Sequence, residues 1–244
     1  MSGAAGRIAA IDFARTLAIA NMVAFHFLFD LRMYGLAPPW LTYGALFDAW
    51  AKGIAGSFLA LAGLGLWLAH GTGFQAGPFW RRVAFVAAGA LAVSAATYVA
   101  LPAAWVRFGI LHAIALFSVV SLAFLWLPGW LTLIVAAALL IFGPGVSLAA
   151  FDGPAWIWTG LGTRVPPMMD YEPLVPWLAP MLIGLAVGRI GTRIGAWDLL
   201  RSARPGSGPL PAWLIWPGRH SLAIYLLHQP ILIGLILGWM SLNR

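Results

Sequence analysis

The sequence predicts an all-α fold, a polytopic integral membrane helical bundle of about seven transmembrane helices. Three observations carry that expectation. Of 244 residues, 62% are apolar and only 9% charged, against roughly 45–50% and about 25% in soluble domains. Too few charges exist to clothe a solvent-facing globule, and so apolar a chain is not a disordered one. Apolar stretches of the length that crosses a bilayer, about 20 residues, recur from one end of the chain to the other. Proline and glycine clusters divide them where turns are needed. Seven spans leave no room for a soluble catalytic domain, so residues 1–244 read as a single transmembrane domain whose chemistry lies inside the bundle or at its edges.

The first span runs from about Ile8 to Leu31. It contains Asp12 and Arg15 and lacks a small-x-small cleavage site, so it reads as a retained span and not a cleaved signal. The second runs from about Gly53 to Ala69 and the third from about Val83 to Leu101. Between Ala113 and Phe151 no charge occurs, and Pro128-Gly129 divides that stretch. A fourth span, about Phe108 to Leu127, and a fifth, about Leu131 to Ala150, result. The sixth is about Leu174 to Gly188 and the seventh about Leu222 to Met240. The segment 189–218 is rich in Gly, Pro, Ser and Arg and reads as a flexible cytoplasmic loop. The segment 151–173 carries four prolines and reads as an outer loop, long enough to be functional.

The net charge of +7 would suggest nucleic acid in a soluble protein, but here it fits the excess of Lys and Arg in cytoplasmic loops. An N-terminus in the cytoplasm places Arg7, Arg81, Arg82, Arg189, Arg193, Arg201, Arg204 and Arg219 inside, and Arg32, Lys52, Arg107, Arg164 and Arg244 outside. No nucleic-acid partner is expected. Tryptophans such as Trp40, Trp80, Trp130 and Trp213 fall at span ends, as interfacial anchors do. Gly63 and Gly65 in span two, and Gly184 and Gly188 in span six, are small enough for close helix approach. Cysteine is absent, which excludes disulfides and thiolate chemistry. No His-x-x-x-His or Glu-x-x-His pair occurs, so no metal site is expected.

Ionisable side chains inside spans cost at least about 2.5–3.5 kcal/mol each at the bilayer centre and are functional candidates by default. Span one is the richest. Arg15 and His26 are 11 residues apart, three turns plus roughly 20°, so they share a face about 16 Å apart along the axis. Asp12, one turn before Arg15, can neutralise its guanidinium, and Asp30 extends the stripe. An ion pair that only fixes packing is the alternative for Asp12 and Arg15, as a satisfied interhelical hydrogen bond is for His26. His112 lies in the same outer half of the membrane as His26. His228 lies near the middle of span seven, where Pro230 removes a backbone donor and frees a carbonyl for a ligand. His70 and His220 sit at helix ends, where capping or solvation explains them.

Four segments, in order, carry a resemblance: Arg7-Ile8-Ala9-Ala10-Ile11-Asp12-Phe13-Ala14-Arg15 with His26 eleven residues on; Phe108-Gly109-Ile110-Leu111-His112; Asp170-Tyr171-Glu172-Pro173-Leu174-Val175-Pro176-Trp177; and Gly218-Arg219-His220-Ser221 through Leu227-His228-Gln229-Pro230. The Arg-x10-His spacing is similar to that of the acyltransferase-3 family. The surrounding wording resembles the bacterial relatives of heparan-alpha-glucosaminide N-acetyltransferase over essentially the whole chain. The larger relatives have more helices than this compact version.

That resemblance implies transfer of an acyl group, an acetyl by the family's name, from acyl-CoA on the cytoplasmic side to an acceptor such as a saccharide on the outer side of a bacterial inner membrane. His26 would be the essential histidine and Arg15 its partner, with Asp12, His112 and Asp170 completing the catalytic candidates. Asp170 or Glu172 would orient a histidine or position the acceptor. Arg81, Arg82 and Arg219, with Arg15, suit the phosphates of acetyl-CoA, since arginine pairs with phosphate bidentately, and His228 joins them as a candidate cofactor contact. His26 would act either as a general base or as an acyl carrier. Membrane lipids and a second copy of the chain, as a homodimer, complete the expected partners. A small-molecule transporter or flippase using the same polar residues is the competing class. It wants an acidic group near the midplane of a span, and the central thirds of the spans contain none.

Overall fold

The structure, a computed structural model, describes residues 7–202 and 211–243. It is 78% helical, with no strand among the described residues; the only extended pairing there is an isolated bridge between Phe108 and Tyr171. In chain order the α-helices are α1 (Ala9–Met33), α2 (Pro39–Thr42), α3 (Ala45–His70), α4 (Ala76–Ala100), α5 (Ile110–Val120), α6 (Gly129–Phe142), α7 (Leu174–Arg193), α8 (Ala196–Ser202), α9 (Ala212–Arg219) and α10 (Ser221–Leu242). Five helical stretches are long and apolar enough to cross a membrane, Ala9–Met33, Pro39–His70, Ala76–Ala100, Leu174–Arg193 and Ser221–Leu242. Two shorter apolar ones, Ile110–Leu125 and Gly129–Gly145, occupy the fourth and fifth expected spans. Little of α4 or α10 is buried, and they expose Phe85, Leu91, Val99, Leu235 and Trp239. Such continuous apolar surface belongs in lipid, and the chain is an all-α membrane helical bundle.

Local chemistry explains where the helices stop. In α1, Asp12 lies in the first turn and Arg32 in the last, matching the helix dipole at both ends. The helix closes at Gly35, whose φ of 71° is the left-handed conformation that glycine adopts without strain. The fifth expected span, to Ala150, ends earlier, because α6 stops at Phe142 and Gly143–Gly145 tighten into a 3-10 turn. Pro144 has no N–H with which to continue the i→i−4 ladder. Short 3-10 turns, Ala149–Phe151 and Pro154–Thr159, then lead through 151–173. The segment 189–218 is not the continuous loop expected: Arg189 lies in the last turns of α7, and α8 and α9 are helical. Its residues 203–210, with Arg204, lie outside the described residues.

The chain forms two compact units, residues 1–58 with 196–244, and residues 59–195, the division falling within α3 after Phe58. In the first unit α1 packs along α9 and α10. Ile19, Met22 and Ile54 form a core flanked by Phe25, Trp50, Phe58, Ile224 and Tyr225. Phe25 stacks on Phe47 with ring centroids 4.5 Å apart. In the second unit α6 lies along α7 and α4 along α5. The backbones of α3 and α7 meet there without intervening side chains: a Cβ at Gly63 would fall on the carbonyl of Met181, and one at Gly184 on that of Ala60. The small-residue stripes read from the sequence have this use.

Candidate active site

Two polar clusters line the helix pairing of the first unit. The first lies near the start of α1. Asp12, 2% exposed, is gripped from both sides. Arg15 Nη1 donates to its Oδ1 at 3.2 Å, and Arg219 Nε, at the end of α9, donates to its Oδ2 at 3.0 Å. One turn on, the Thr16 hydroxyl donates to the Asp12 carbonyl and accepts from the Gly218 N–H at 2.9 Å. Gly218 is what permits this approach, because a Cβ there would collide with the Asp12 carbonyl oxygen. Two guanidinium groups against one carboxylate leave a net positive charge, and the arginine side chains remain 28% and 38% exposed.

The second cluster lies 14 residues along α1, about 21 Å by helical rise. His26 Nδ1 and His228 Nε2 are 2.7 Å apart, and His228 Nδ1 is 2.7 Å from the Tyr225 carbonyl oxygen. A carbonyl only accepts, so His228 Nδ1 carries the proton and, in the neutral ring, Nε2 carries the lone pair. His26 Nδ1–H must therefore donate to it, which leaves the lone pair of His26 on Nε2. The backbone of α10 thus sets the tautomer of a histidine on α1 through a second imidazole. One turn further on, Gln229 Nε2 donates to Asp30 Oδ1 at 2.7 Å. The contacts 12–219, 26–228 and 30–229 ascend together, so α1 and the α9–α10 segment run in the same direction.

The remaining sequence candidates lie in the second unit. His112 Nδ1 accepts from the Gly109 N–H at 3.3 Å, and its Nε2 lies 3.2 Å from the Ser94 hydroxyl, which donates to the Val106 carbonyl. Asp170 Oδ2 accepts from the Ile110 N–H at 2.8 Å. Together His112 and Asp170 close the N-terminus of α5, where unsatisfied N–H groups favour a carboxylate. Glu172 sits against Asp170. Burial first, then the charge and hydrogen bond of Asp170, pushes its carboxyl far above the usual range, so it is a carboxylic acid able to donate to Asp170. Asp152 is held below its usual range, chiefly by the Thr163 hydroxyl. It pins the 151–173 segment by accepting from Thr163 and Arg164 backbone N–H groups. A cavity of about 410 Å³ opens there, lined by Arg107, Asp152, Arg164 and Tyr171 among others. Arg81 and Arg82 are both exposed on α4.

Of the sequence candidates, the structure brings Asp12, Arg15 and Arg219 together, pairs His26 with His228, and sets His112 beside Asp170. Sequence reasoning missed Thr16, Gln229 and Ser94 as participants. Gln229 carried a signal, since it follows His228 directly in a span otherwise almost wholly apolar.

A family model described as heparan-alpha-glucosaminide N-acetyltransferase, catalytic, matches residues 7–230. No curated protein and no solved structure matches the chain.

Proposed function

Because the chain belongs to the heparan-alpha-glucosaminide N-acetyltransferase catalytic family, and is thereby an acetyltransferase, we propose that His26 is its general base and acetyl-CoA its donor. The observation that carries this reading is the His26–His228 pair, in which the Tyr225 carbonyl and two imidazoles leave His26 Nε2 as the basic nitrogen. The acceptor is an amine, borne by a saccharide on the family's name. Its nitrogen attacks the thioester carbonyl, forming a C–N bond as the C–S bond breaks. His26 Nε2 takes a proton from the acceptor nitrogen and passes it to the departing thiolate, which leaves as the thiol of CoA. A positioned base of this kind contributes about 10²–10⁴-fold. His228 is a positioning residue, which holds His26 Nδ1 and spreads the charge when the ring becomes imidazolium.

Arg15 and Arg219 hold the phosphates of acetyl-CoA, with Asp12 fixing both guanidinium groups. The about 21 Å of α1 between Asp12 and His26 gives the pantetheine arm its track. In the proposed topology this end of α1 faces the cytoplasm of a bacterial inner membrane and the histidine pair lies towards the outer side. His112 and Asp170 act by shaping the start of α5 and the 151–173 segment.

The test is transfer from radiolabelled acetyl-CoA by the protein in lipid nanodiscs, with release of free CoA as the second readout. Wild type is expected to consume acetyl-CoA only when an amine is supplied. His26→Ala should lose at least 100-fold in kcat while binding acetyl-CoA normally. Equal turnover by the two proteins would overturn the assignment.

A further inference from the structure

The cavity of about 410 Å³ in the second unit takes no part in the chemistry above, yet it has the size of a ligand site. Its charged lining is Arg107, Asp152 and Arg164, and its apolar walls include Phe151, Ile157 and Val165. Hydrogen bonds fix those walls. Asp152 spends both oxygens on the Thr163 hydroxyl and on the Thr163 and Arg164 N–H groups. The Tyr171 hydroxyl donates to the Ile157 carbonyl, and the Met169 N–H donates to that of Ala104, in the turn between α4 and α5. Arg107 gives one N–H to the Pro167 carbonyl, of the five that a guanidinium carries. Arg164 is exposed, and among the described residues its guanidinium makes no hydrogen bond. Two guanidinium groups against one carboxylate leave a single positive charge, with most of the N–H donors unspent.

We propose that this cavity holds the headgroup of an anionic phospholipid, with Arg107 and Arg164 on its phosphate. A phosphodiester carries one negative charge, which matches the single positive charge of the lining, and arginine binds phosphate oxygens through paired N–H donors. The place suits a lipid. Arg107 lies between the end of α4 and the start of α5, and the other lining residues precede α7. Both α4 and α7 are long and apolar enough to cross a membrane, and the ends of such helices stand at the headgroup layer. The neighbouring surface suits acyl chains. Val165, which lines the cavity, is exposed, as are Leu148, Trp156 and Met169 of the same stretch. A soluble anion matches the charge but makes no use of those side chains. With the lipid bound, one phosphate joins Arg107, in the turn before α5, to Arg164, in the 151–173 segment, and so fastens that segment to the helical part of its unit.

The test is native mass spectrometry of the full chain in detergent, which reads the Kd of the first bound lipid. Phosphatidylglycerol and phosphatidylcholine with the same acyl chains are the probes. Wild type should bind phosphatidylglycerol at least tenfold more tightly. Arg164→Gln should cut that preference about fivefold, the loss expected of one basic residue at an anionic lipid. Val165→Glu, which sets a negative charge on the exposed wall, should cut it at least as much. Lys52→Gln removes the same charge from an exposed position on α3 and should leave the preference within twofold of wild type. Unfolding of the cavity variants at the wild-type temperature in phosphatidylcholine separates lost recognition from a damaged fold. Glycerophosphoglycerol, the headgroup without its chains, should compete only at concentrations at least 100-fold above those of the lipid. Equal binding of the two lipids by wild type would overturn the site, as would a preference untouched in both cavity variants or lost equally in Lys52→Gln. Competition by the free headgroup at the lipid's own concentration would overturn the lipid and assign the cavity to soluble anions.

Discussion

Replacing Glu172 by Gln should raise the protein's thermal stability at neutral pH and flatten its dependence on pH. In the unfolded chain this carboxyl ionises near 4.5, whereas burial and the neighbouring Asp170 keep it protonated in the folded state. Folding above pH 4.5 must therefore bind a proton. A folded pKa raised in this way gives stability that is complete below the unfolded pKa and is lost as pH climbs towards the folded one. The limiting slope is about 1.4 kcal/mol per pH unit. Residual exposure of the side chain screens part of this, and half the limit is about 0.7 kcal/mol per unit. In a chain of this size that corresponds to about 2 °C of Tm per pH unit. Glutamine carries no titrating proton and keeps an N–H donor for Asp170, so the variant lacks the slope. The assay is thermal unfolding in detergent at pH 5.5, 6.5 and 7.5. Glu172→Gln should gain on wild type by about 4 °C across that range. Parallel curves, or a variant less stable than wild type at pH 7.5, would refute the assignment of Glu172 as a buried neutral acid.

Other outcomes follow from the same geometry. His228→Ala removes the acceptor for His26 Nδ1–H and should lower kcat about 10- to 100-fold, a fraction of a base's full contribution, with little change in the KM for acetyl-CoA; steady-state kinetics that moved only KM would count against a positioning role. Arg219→Gln should weaken acetyl-CoA binding and make it less sensitive to salt, since charge pairing with phosphates is screened; titration calorimetry at two ionic strengths reads both. Gly218→Ala places a methyl on the Asp12 carbonyl and should cost about 1–3 kcal/mol or more, seen as a fall in Tm together with loss of acetyl-CoA binding. Gly109→Ala drives a methyl into the Asp170 carboxylate and should lower Tm without altering the Kd of acetyl-CoA.

What the sequence made legible was whatever depends on nearby residues. The spacing of Arg15 and His26 places them on one face by helical arithmetic alone. Asp12 and Arg15, three apart, are the ion pair expected of them. Pro128 divides two helices where its missing N–H and the following glycine favour a turn. The Gly143-Pro144-Gly145 stop carries the same signal, but its surroundings are uniformly apolar and hydropathy cannot separate a helix end from its middle. Partners distant in the chain were not legible. Arg219 grips Asp12 from 207 residues away, and nothing in either neighbourhood states that pairing. His228 was visible as a polar residue in a span, but its work depends on which imidazole nitrogen meets the Tyr225 carbonyl. His112 likewise stood out as ionisable, while its local capping contacts emerge only when the turn at Phe108–Ile110 is folded.

The joining of α1 to α9 and α10 also constrains how the protein is made. Asp12, His26 and Asp30 enter the membrane with α1, yet their partners Arg219, His228 and Gln229 are synthesised about 200 residues later. At 5–20 residues per second the delay is roughly 10–40 s. Through that interval a helix bearing two buried acids waits without its partners, open to quality-control proteases and to any chaperone that shields polar groups in lipid. A chain cut short before α9 never leaves that state. Pairing of α1 with α9 and α10 therefore marks a chain made through α10, and the residues proposed for catalysis are the same ones that register it.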